Sequence, residues 1–598
     1  MRRPVARKLS VLAVSAAVVS VGATAPPSAS PPQKVPVAVG YGGAVASVDL
    51  DASSAGIEVL KKGGNAVDAA VATAAALGVT EPYSSGIGGG GYFVYYDAKS
   101  RKVHTIDGRE TAPLTADENL FVENGKAIPF ADAVSSGLAV GTPGTPATWA
   151  TALDKWGSKG LGTVLKPAER IARDGFTVDG TFRSQTALNE TRFRYFPDTA
   201  KLFLPGGQLP VVGSTFKNPD LARTYEELGK KGVGALYRGG LGDEIVDTVN
   251  DPPVDPASGW NARPGDLSEK DLAAYRAKLQ APTKTSYRGL GVYSIAPSSS
   301  GGTTVGEALN ILENTDLSKA SDVQYLHRYI EASRIAFADR GRWVGDPAFE
   351  DVPTKGLLSQ EYADSRAALI KDDAVLTSPV APGDPRNPGS TGTAAPTTYE
   401  GENTTHLTVA DKWGNVVSYT LTIEQTGGSG ITVPGRGFIL NNELTDFSFV
   451  PANPAVHDPN LPGPGKRPRS SISPTIVLDQ HNKPVVALGS PGGATIITTV
   501  LQTLTRFADR GVPLVDAIAA PRVSQRNAAQ TEMEPALFND TSPGSLRSQL
   551  ESIGHSFRLN AEIGAATGVQ RLPNGKWLAA AETVRRGGGS AQVVYPAR

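Results

Sequence analysis

The stretch Asn403-Thr404-Thr405-His406-Leu407-Thr408 begins a predicted β-hairpin whose turn is Asp411-Lys412-Trp413-Gly414-Asn415. Glycine and asparagine are residues that hairpin turns favour. If Trp413 is the midpoint and the pair has no bulge, Thr404 faces Thr422, because both lie equally far from Trp413. The hairpin therefore predicts two threonine side chains opposite one another.

Alternation along the two strands predicts two unlike faces, because successive strand residues point to opposite sides. One face is polar, and the other is apolar and suited to packing. The polar face carries Thr404, His406, Thr408, Ser418, Thr420, Thr422 and Glu424, and the apolar face carries Leu407, Val409, Val417, Tyr419, Leu421 and Ile423.

Thr404 is a candidate nucleophile at the start of this hairpin. A threonine hydroxyl needs an adjacent base, and a free amine on the same residue supplies one. That chemistry requires cleavage between Asn403 and Thr404. The alternative is an ordinary edge strand, since threonine is common in strands. For His406, two residues further on, a structural hydrogen bond is favoured over a role as base.

Composition narrows the function. The chain has 598 residues and a net charge of −1, from 58 basic and 59 acidic side chains, so neither nucleic acid nor an anionic membrane surface is an expected partner. It has no cysteine, which excludes disulfides, thiolate catalysis and cysteine-ligated zinc. None of the six histidines has helical metal-ligand spacing, so we expect no metal and no cofactor.

The N-terminus is typical of an export signal. Basic residues precede an apolar run from Leu9 to Val21, and Ala23-Thr24-Ala25 offers a cleavage site of small residues. We predict a signal peptide over residues 1–25 and a secreted mature protein. The run is too short for a spanning helix, so no membrane association is expected after removal of the signal.

Residues 377–401 are rich in proline, glycine, serine and threonine, which predicts an exposed, mobile linker. The linker ends immediately before the hairpin. A chain that is cut at this point, and whose new end must stay in a pocket, needs such slack before the cleavage site.

Two further segments, at Arg109 and at Gly489 to Gly493, have chemistry that fits an acyl-transfer site, whereas a third glycine-rich run does not indicate nucleotide binding. Arg109 follows a predicted strand, where its guanidinium could bind a carboxylate or simply be solvated. The turn Gly489-Ser490-Pro491-Gly492-Gly493 leaves two glycine amides unobstructed, as an oxyanion site requires, although an ordinary strand-to-helix turn explains it equally well. The run Gly88–Gly91 lacks the residues of a nucleotide-binding loop.

These segments, in this order, resemble the gamma-glutamyltransferase family, also called gamma-glutamyltranspeptidase or glutathione hydrolase. The resemblance runs from about Val37 to Val594. Its most specific parts are Asn65 to Ala72, Gly88 to Gly91, Asp107 to Pro113, Gly141 to Gly144, Ser299 to Gly302, Thr404 to His406, Asn441 to Phe447, Lys466 to Thr475, and Gly489 to Gly493.

The resemblance implies an α+β protein, a four-layer αββα sandwich of the N-terminal-nucleophile hydrolase type. It also implies a proenzyme that cuts itself between Asn403 and Thr404. The large subunit would span 26–403 and the small subunit 404–598, both within one intertwined domain.

The resemblance also assigns site residues. It implies that Thr404 is the nucleophile, that Thr422 orients it, and that Gly492 and Gly493 provide the oxyanion amides. The remaining residues would bind the amino-acid head of the donor. Arg109, Ser470 and Ser471 would hold its α-carboxylate, and Glu424, Glu443 and Asp446 would hold its α-ammonium.

The implied reaction transfers a γ-glutamyl group from glutathione or a related small donor to Thr404, and then to water, an amino acid or a peptide. Two features depart from many relatives. Position 424 is glutamate rather than asparagine, which would strengthen ammonium binding. Residues 447–465 lack a lid tyrosine found in some relatives, so larger γ-linked glutamate polymers are plausible donors.

Three alternatives remain. The first is a β-lactam side-chain acylase or a poly-γ-glutamate-processing enzyme of the same fold. The second is an unprocessed, non-catalytic secreted binding protein. A Ser-His-Asp hydrolase is weaker, because no Gly-x-Ser-x-Gly elbow meets a suitably placed histidine.

Overall fold

The computed structural model describes residues 33–392 and 403–597. The predicted signal peptide, 1–25, and residues 393–401 of the predicted linker lie outside the described residues. Within the described residues, no helix combines the length and the apolar character needed to cross a bilayer.

The strands are, in chain order, β1 (Val37–Ser47), β2 (Gly90–Asp97), β3 (Lys102–Gly108), β4 (Val122–Glu123), β5 (Lys126–Ala127), β6 (Phe176–Thr177), β7 (Thr215–Phe216), β8 (Lys278–Gln280), β9 (Thr283–Tyr287), β10 (Leu290–Ser294), β11 (Thr405–Asp411), β12 (Val416–Thr422), β13 (Thr475–Leu478), β14 (Pro484–Gly489), β15 (Val523–Ser524), β16 (Thr531–Met533), β17 (Phe557–Leu559), β18 (Thr567–Arg571), β19 (Trp577–Ala580) and β20 (Ser590–Pro596).

The helices are α1 (Leu50–Lys61), α2 (Ala66–Thr80), α3 (Phe130–Val134), α4 (Thr145–Trp156), α5 (Leu161–Val164), α6 (Lys166–Asp174), α7 (Gly180–Phe193), α8 (Pro197–Phe203), α9 (Pro219–Lys231), α10 (Gly234–Tyr237), α11 (Gly240–Asn250), α12 (Glu269–Ala274), α13 (Gly301–Glu313), α14 (Asp322–Trp343), α15 (Thr354–Leu357), α16 (Gln360–Ala367), α17 (Thr495–Ala508), α18 (Leu514–Ala519), α19 (Pro535–Phe538) and α20 (Leu546–Ser552). Short 3₁₀ turns include Glu443–Asp446 and Arg585–Gly587.

One 13-stranded sheet organises the molecule, with the order β8-β3-β2-β12-β11-β1-β19-β18-β14-β13-β10-β9 and with β20 paired to β1. The hairpin β11–β12 lies inside this sheet, between β2 and β1. Its antiparallel register pairs Thr405 with Leu421 and His406 with Thr420. This confirms the register predicted from Trp413, since Thr404 and Thr422 follow one step beyond the ladder.

The apolar face of the hairpin is buried against helices, as the alternation predicts. Leu407, Val409 and Tyr419 belong to the same core cluster as the alanine-rich helix α2 and its neighbour α1. The polar face is also buried, because it lies against β14, where the Ser418 hydroxyl donates to the Leu488 carbonyl oxygen at 3.0 Å. Both faces of the hairpin are therefore packing faces.

Strand residues alternate between separate apolar clusters in the two halves of the sheet. In β11, Val409 packs in the cluster with α1 and α2, whereas Ala410 belongs to an inner cluster shared with Ile476 and Ala487. In β13, Val477 packs instead with residues of α13, α14 and α17. Strands of this sheet thus contribute to three apolar clusters, two of which also contain helix residues.

Helix α2 is anchored at its start to both the hairpin turn and a loop. Asn65 and Asp68 form a capping box, and the Ala66 amide donates to Asp411 in the hairpin turn at 3.0 Å. The same Asp411 carboxylate accepts the Asn415 amide at 3.0 Å, which closes the turn. One side chain therefore joins the hairpin to the helix that packs on it.

The described part of the linker differs from the expectation of an exposed segment. Val380 is buried, and the side chain of Asn527 bonds both its amide, at 2.7 Å, and its carbonyl, at 3.0 Å. The Gly383 amide donates to Asp339 at 2.6 Å. The amino-acid composition of this segment does not predict its docking on the protein, because hydrogen bonds of the backbone require no apolar side chains.

Helices α1 and α2 approach closely at Gly56, which yields a prediction. A Cβ there would lie 2.3 Å from the Thr73 hydroxyl oxygen and 3.1 Å from a methyl of Val45. We expect Gly56→Ala to lower the free energy of unfolding by about 1–3 kcal/mol through overpacking. Urea midpoints of the purified protein measure this.

The matched control is Gly341→Ala in α14, where an added Cβ meets nothing within 4 Å. We expect that change to be neutral or to stabilise by about 0.5–1 kcal/mol, because alanine has the higher helix propensity. Equal midpoints for the two variants would contradict the packing argument.

Candidate active site

The sequence-predicted site residues come together at one end of the central strands. All of them except Gly492 line a single pocket, together with Asn403, Ile472 and Ile496. Gly492 lines a neighbouring pocket. The pocket residues come from the ends of β3, β11, β12 and β14, from the 3₁₀ turn at Glu443–Asp446, and from the segment before β13: Arg109, Thr404, Thr422, Glu424, Glu443, Asp446, Ser470, Ser471 and Gly493.

The Thr422 hydroxyl bonds both the hydroxyl of the candidate nucleophile, Thr404, and the carbonyl of the peptide bond predicted to be cut. It donates to the Asn403 carbonyl oxygen at 3.0 Å. The Thr422 hydroxyl oxygen accepts from the Glu424 amide at 2.9 Å and from the Thr404 hydroxyl at 3.5 Å. A hydroxyl has one hydrogen and two lone pairs, so Thr422 uses its full bonding capacity here.

Asn403 is held by residues that sequence reasoning missed. Its side-chain amide donates to the Tyr83 carbonyl at 2.9 Å, and its side-chain oxygen accepts the Ser84 hydroxyl at 3.1 Å. The Arg586 guanidinium donates to that oxygen too, and to the Thr404 carbonyl oxygen at 2.7 Å. No local sequence signal marks these partners, since each lies far from Asn403 along the chain.

Arg109 is fully buried and forms ion pairs with Glu443 and Asp446. Burial opposes its charge, but these two carboxylates raise the pKa of Arg109. The family resemblance implies that Arg109 binds one end of a substrate and that the two acids bind the other end. In this structure the two groups neutralise each other.

Further carboxylates surround this ion pair. Burial raises the pKa of Glu443 to about 7, with Arg109 opposing the rise and Asp446 adding to it. Burial, together with the nearby Glu443, also raises the pKa of Glu110, and burial and the other acids raise that of Glu424. Sequence reasoning missed Glu110, although it lies next to Arg109 in a quoted motif.

One of these carboxylate oxygens lacks a bonding partner, whereas Glu110 and Glu443 share a hydrogen bond with each other. Oε1 of Glu424 is buried and accepts no hydrogen bond from the residues that the structure describes. Buried acceptors without donors are costly, so the site favours a group that carries hydrogen-bond donors and positive charge.

Ser470 and Ser471 are positioned by their surroundings. The Ser470 hydroxyl oxygen accepts the Ile472 amide at 3.1 Å. The Ser471 hydroxyl oxygen accepts from the Arg340 guanidinium of α14 at 3.0 Å. Arg340 also donates to Ser300 at 2.7 Å, and the Ser300 hydroxyl donates to the Ser470 carbonyl at 2.6 Å. Arg340 is a second cation near the pocket that sequence reasoning missed.

The glycine turn between β14 and α17 requires glycine for conformational reasons. Gly492 has φ of 128° and Gly493 has φ of 54°, which other residues rarely adopt. The Gly492 carbonyl accepts the Thr495 amide at 3.0 Å. Neither glycine amide donates to an acceptor among the described residues. Both amides are therefore without a protein acceptor in this part of the chain, and of the two glycines only Gly493 lines the pocket that contains Thr404.

His406 is fully buried and makes a structural contact, in agreement with the sequence interpretation. One ring nitrogen bonds the Thr420 hydroxyl at 2.7 Å. Burial lowers the pKa of His406 to about 3, so the ring is neutral near neutral pH.

Known proteins resemble this sequence over most of its length. A family model described as Gamma-glutamyltranspeptidase matches residues 52–593. The chain is 40% identical to a glutathione hydrolase proenzyme of Bacillus subtilis (strain 168), over 97% of this chain and 96% of that one. It is 36% identical to the glutathione hydrolase proenzyme of Escherichia coli (strain K12), over 90% of each.

A solved structure of similar shape is the cephalosporin acylase from Bacillus halodurans, with a TM-score of 0.80 and 29% identity, covering 95% of this chain and 98% of that one. The family model matches most of the chain, and the two glutathione hydrolase proenzymes align with it over nearly their full length. The chain therefore belongs to the gamma-glutamyltranspeptidase family.

Proposed function

We propose that this protein is a self-processing gamma-glutamyltransferase that cleaves the γ-glutamyl amide bond of glutathione and related small donors. It passes the acyl group through Thr404 to water, or to an amino acid or peptide. The observation that carries the proposal is the single pocket in which Thr404 lies with Arg109 and with the buried acids Glu443 and Asp446.

The fold proposed for this activity is the four-layer αββα sandwich of N-terminal-nucleophile hydrolases. Three apolar clusters support it: one between α1, α2 and their half of the sheet, one between the two halves, and one beneath α13, α14 and α17. Three interfaces correspond to four layers. We also propose that the protein is secreted and that residues 1–25 are removed as its signal peptide.

In the proposed processing step, the Thr404 hydroxyl oxygen attacks the Asn403 carbonyl carbon. The peptide C–N bond breaks, an ester forms, and the nitrogen gains a proton to become the Thr404 amine. Water then hydrolyses the ester and leaves a carboxylate on Asn403. The Thr422 hydroxyl, 3.0 Å from the Asn403 carbonyl oxygen, stabilises the charge that develops there. The products are subunits 26–403 and 404–598.

When the donor binds, Arg109 and the buried acids exchange their bonds with one another for bonds to the donor. An α-amino acid head is a zwitterion, so its carboxylate takes the Arg109 guanidinium and its ammonium takes Glu443, Asp446 and Glu424. The hydroxyls of Ser470 and Ser471 add donors to the carboxylate. The buried charges remain paired throughout, which avoids the cost of an isolated buried charge.

In catalysis, the freed amine of Thr404 accepts the hydroxyl proton as the oxygen attacks the γ-carbonyl carbon. The amides of Gly492 and Gly493 bond the oxyanion. The amide C–N bond breaks, the departing nitrogen takes the proton, and a γ-glutamyl ester remains on Thr404. Water or an acceptor amine then attacks this ester and restores the hydroxyl.

An acylase acting on glutaryl side chains is the second candidate, favoured by the similarity in shape to a cephalosporin acylase. A glutaryl group has no ammonium. It would leave Oε1 of Glu424, which bonds no described residue, without a cation, so the acid cluster supports the γ-glutamyl donor.

Self-cleavage yields the first functional prediction. Purified wild-type protein should show two fragments on a denaturing gel, one beginning at Thr404 by N-terminal sequencing. Thr404→Ala should remain a single chain, because it lacks the attacking oxygen.

The matched control is Thr405→Val, which removes a buried hydroxyl that bonds no described residue. This variant should still be cut. A Thr404→Ala chain that is cut at the same bond would contradict the mechanism.

Donor choice yields the second functional prediction. We expect kcat/KM for γ-glutamyl-p-nitroanilide to exceed that for glutaryl-p-nitroanilide by about 10- to 100-fold, because a hydrogen bond to a charged group contributes about 1.5–3 kcal/mol. Release of nitroaniline measures both rates. Preference for the glutaryl compound would favour the acylase instead.

The pH dependence of binding is the third functional prediction. The raised pKa of Glu443, about 7, means that its carboxylate is protonated below that pH and ionised above it. Because the ionised form attracts the ammonium, glutamate should bind more tightly as pH rises through 7. Calorimetric dissociation constants between pH 6 and 8.5 test this.

Glu443→Gln should bind glutamate more weakly and lose most of this pH dependence. The Thr404 amine titrates in both proteins, so only the difference between them reports on Glu443. Identical profiles for the two proteins would count against the assignment.

A further inference from the structure

A short turn after helix α2 holds the residue whose carbonyl carbon is attacked in the proposed self-cleavage. Residues 81–84 form this turn, and the Ser84 amide closes it by donating to the Glu81 carbonyl oxygen at 3.0 Å. The Tyr83 carbonyl accepts the Asn403 side-chain amide at 2.9 Å, and the Ser84 hydroxyl lies 3.1 Å from the Asn403 side-chain oxygen. The turn therefore orients the side chain of Asn403 with two bonds.

The Ser84 hydroxyl has two acceptors within reach and only one hydrogen to donate. Its oxygen lies 3.1 Å from the side-chain oxygen of Asn403 and 3.3 Å from Oε2 of Glu81. All three side chains are buried. Within the described residues, Ser84 is the one hydrogen-bond partner of the Glu81 carboxyl. The protonation state of Glu81 therefore decides which of the two acceptors receives the hydrogen of Ser84.

Burial and four charged groups from other segments set the charge of Glu81. Burial has the largest effect and raises the pKa of Glu81 to about 7. Arg586, in the last 3₁₀ turn, and Lys34, which precedes β1, oppose this rise. Asp49, which precedes α1, and Asp179, which precedes α7, add to it, and Asp179 is itself paired with Lys34 at 3.0 Å. Glu81 thus changes its charge near neutral pH.

The two protonation states of Glu81 direct the hydrogens differently. When Glu81 is ionised, it takes the Ser84 hydrogen, because hydrogen bonds to charged acceptors are roughly twice as strong as neutral ones. The Asn403 side-chain oxygen then loses that donor. When Glu81 is protonated, it donates its own hydrogen to the Ser84 oxygen, and Ser84 donates to Asn403. Asn403 is therefore held by one more hydrogen bond in the protonated state.

We propose that Glu81 is a positioning residue for self-cleavage and that it acts through Ser84 on the side chain of Asn403. The inference rests on the proposed function, because it presupposes attack by the Thr404 hydroxyl on the Asn403 carbonyl carbon. Glu81 bonds Ser84 rather than either reacting atom. Protonated Glu81 completes two successive hydrogen bonds that fix Asn403 for the attack. Self-cleavage is therefore faster with Glu81 protonated than with Glu81 ionised.

Self-cleavage can be timed on the full chain. The uncut protein is labelled in a short cell-free translation, synthesis is stopped, and samples are moved to buffers from about pH 5.5 to about pH 9. Denaturing gels give the rate constant of fragment formation at each pH. The ratio of each variant to the wild type removes the titration of groups that both proteins share.

Glu81→Gln keeps a donor to Ser84 that ionisation cannot remove. Its rate constant should match that of the wild type below about pH 6 and exceed it about three- to tenfold above about pH 8, because it retains the hydrogen bond to Asn403. Asp51→Asn is the matched control. Burial and Asp49 raise the pKa of Asp51 to about 6, but no hydrogen bond joins Asp51 to the described residues of the cleavage site. The rate constant of Asp51→Asn should stay within about twofold of the wild type at every pH.

Ser84→Ala tests whether the effect passes through Ser84. The wild type should be cut about three- to tenfold faster than this variant below about pH 6, and equally fast above about pH 8, where the Ser84 hydrogen no longer reaches Asn403. In the Ser84→Ala background, Glu81→Gln should change the rate constant by less than about twofold at any pH. A direct effect of the Glu81 charge on Arg586 would survive in that background.

A ratio of Glu81→Gln to the wild type that does not vary with pH, or an equal effect of this substitution with and without Ser84, would overturn the proposal. If Glu81→Gln fails to fold, the pH dependence of the ratio of the wild type to Ser84→Ala still decides the matter. A wild-type chain that is never cut would instead refute the proposed function.

Discussion

The antiparallel pairing of β11 with β12 fixes the position of the nucleophile candidate, and much of the site depends on it. The register places Thr422 beside both the Thr404 hydroxyl and the Asn403 carbonyl. A shift of one residue would move every side chain of β11 to the other face, and the apolar residues that pack on α1 and α2 would lose their core. Burial of Leu407, Val409 and Tyr419 therefore stabilises the same register that the chemistry requires.

Buried charge is the second constraint. Arg109 would be very costly to bury alone, and the same holds for Glu443 and Asp446; in the structure they are paired with each other. A zwitterionic amino-acid head can take the place of this pairing because it presents one charge of each sign to the matching partner. The unpartnered Oε1 of Glu424 adds a preference for a cationic group.

The glycine turn before α17 connects the two pockets. Positive φ values at Gly492 and Gly493 direct the chain so that each residue lines a different pocket. Gly493 is therefore the glycine of this turn that lies in the pocket of Thr404.

The sequence by itself determined the local features: the hairpin and its register, the alternation of its side chains, and the glycine turn. These depend on residues close together in the chain, and the register is governed by a short turn. The roles of Arg109, Glu443, Asp446, Ser470 and Ser471 came from family resemblance. Only the tertiary structure decided that Arg109 pairs with the acids and that both faces of the hairpin are buried. It also decided which residues hold the site in place: Tyr83, Ser84 and Arg586 bond Asn403, and Arg340 bonds Ser471. Such contacts join residues hundreds of positions apart, and they depend on the order of strands in the sheet, which no local pattern encodes.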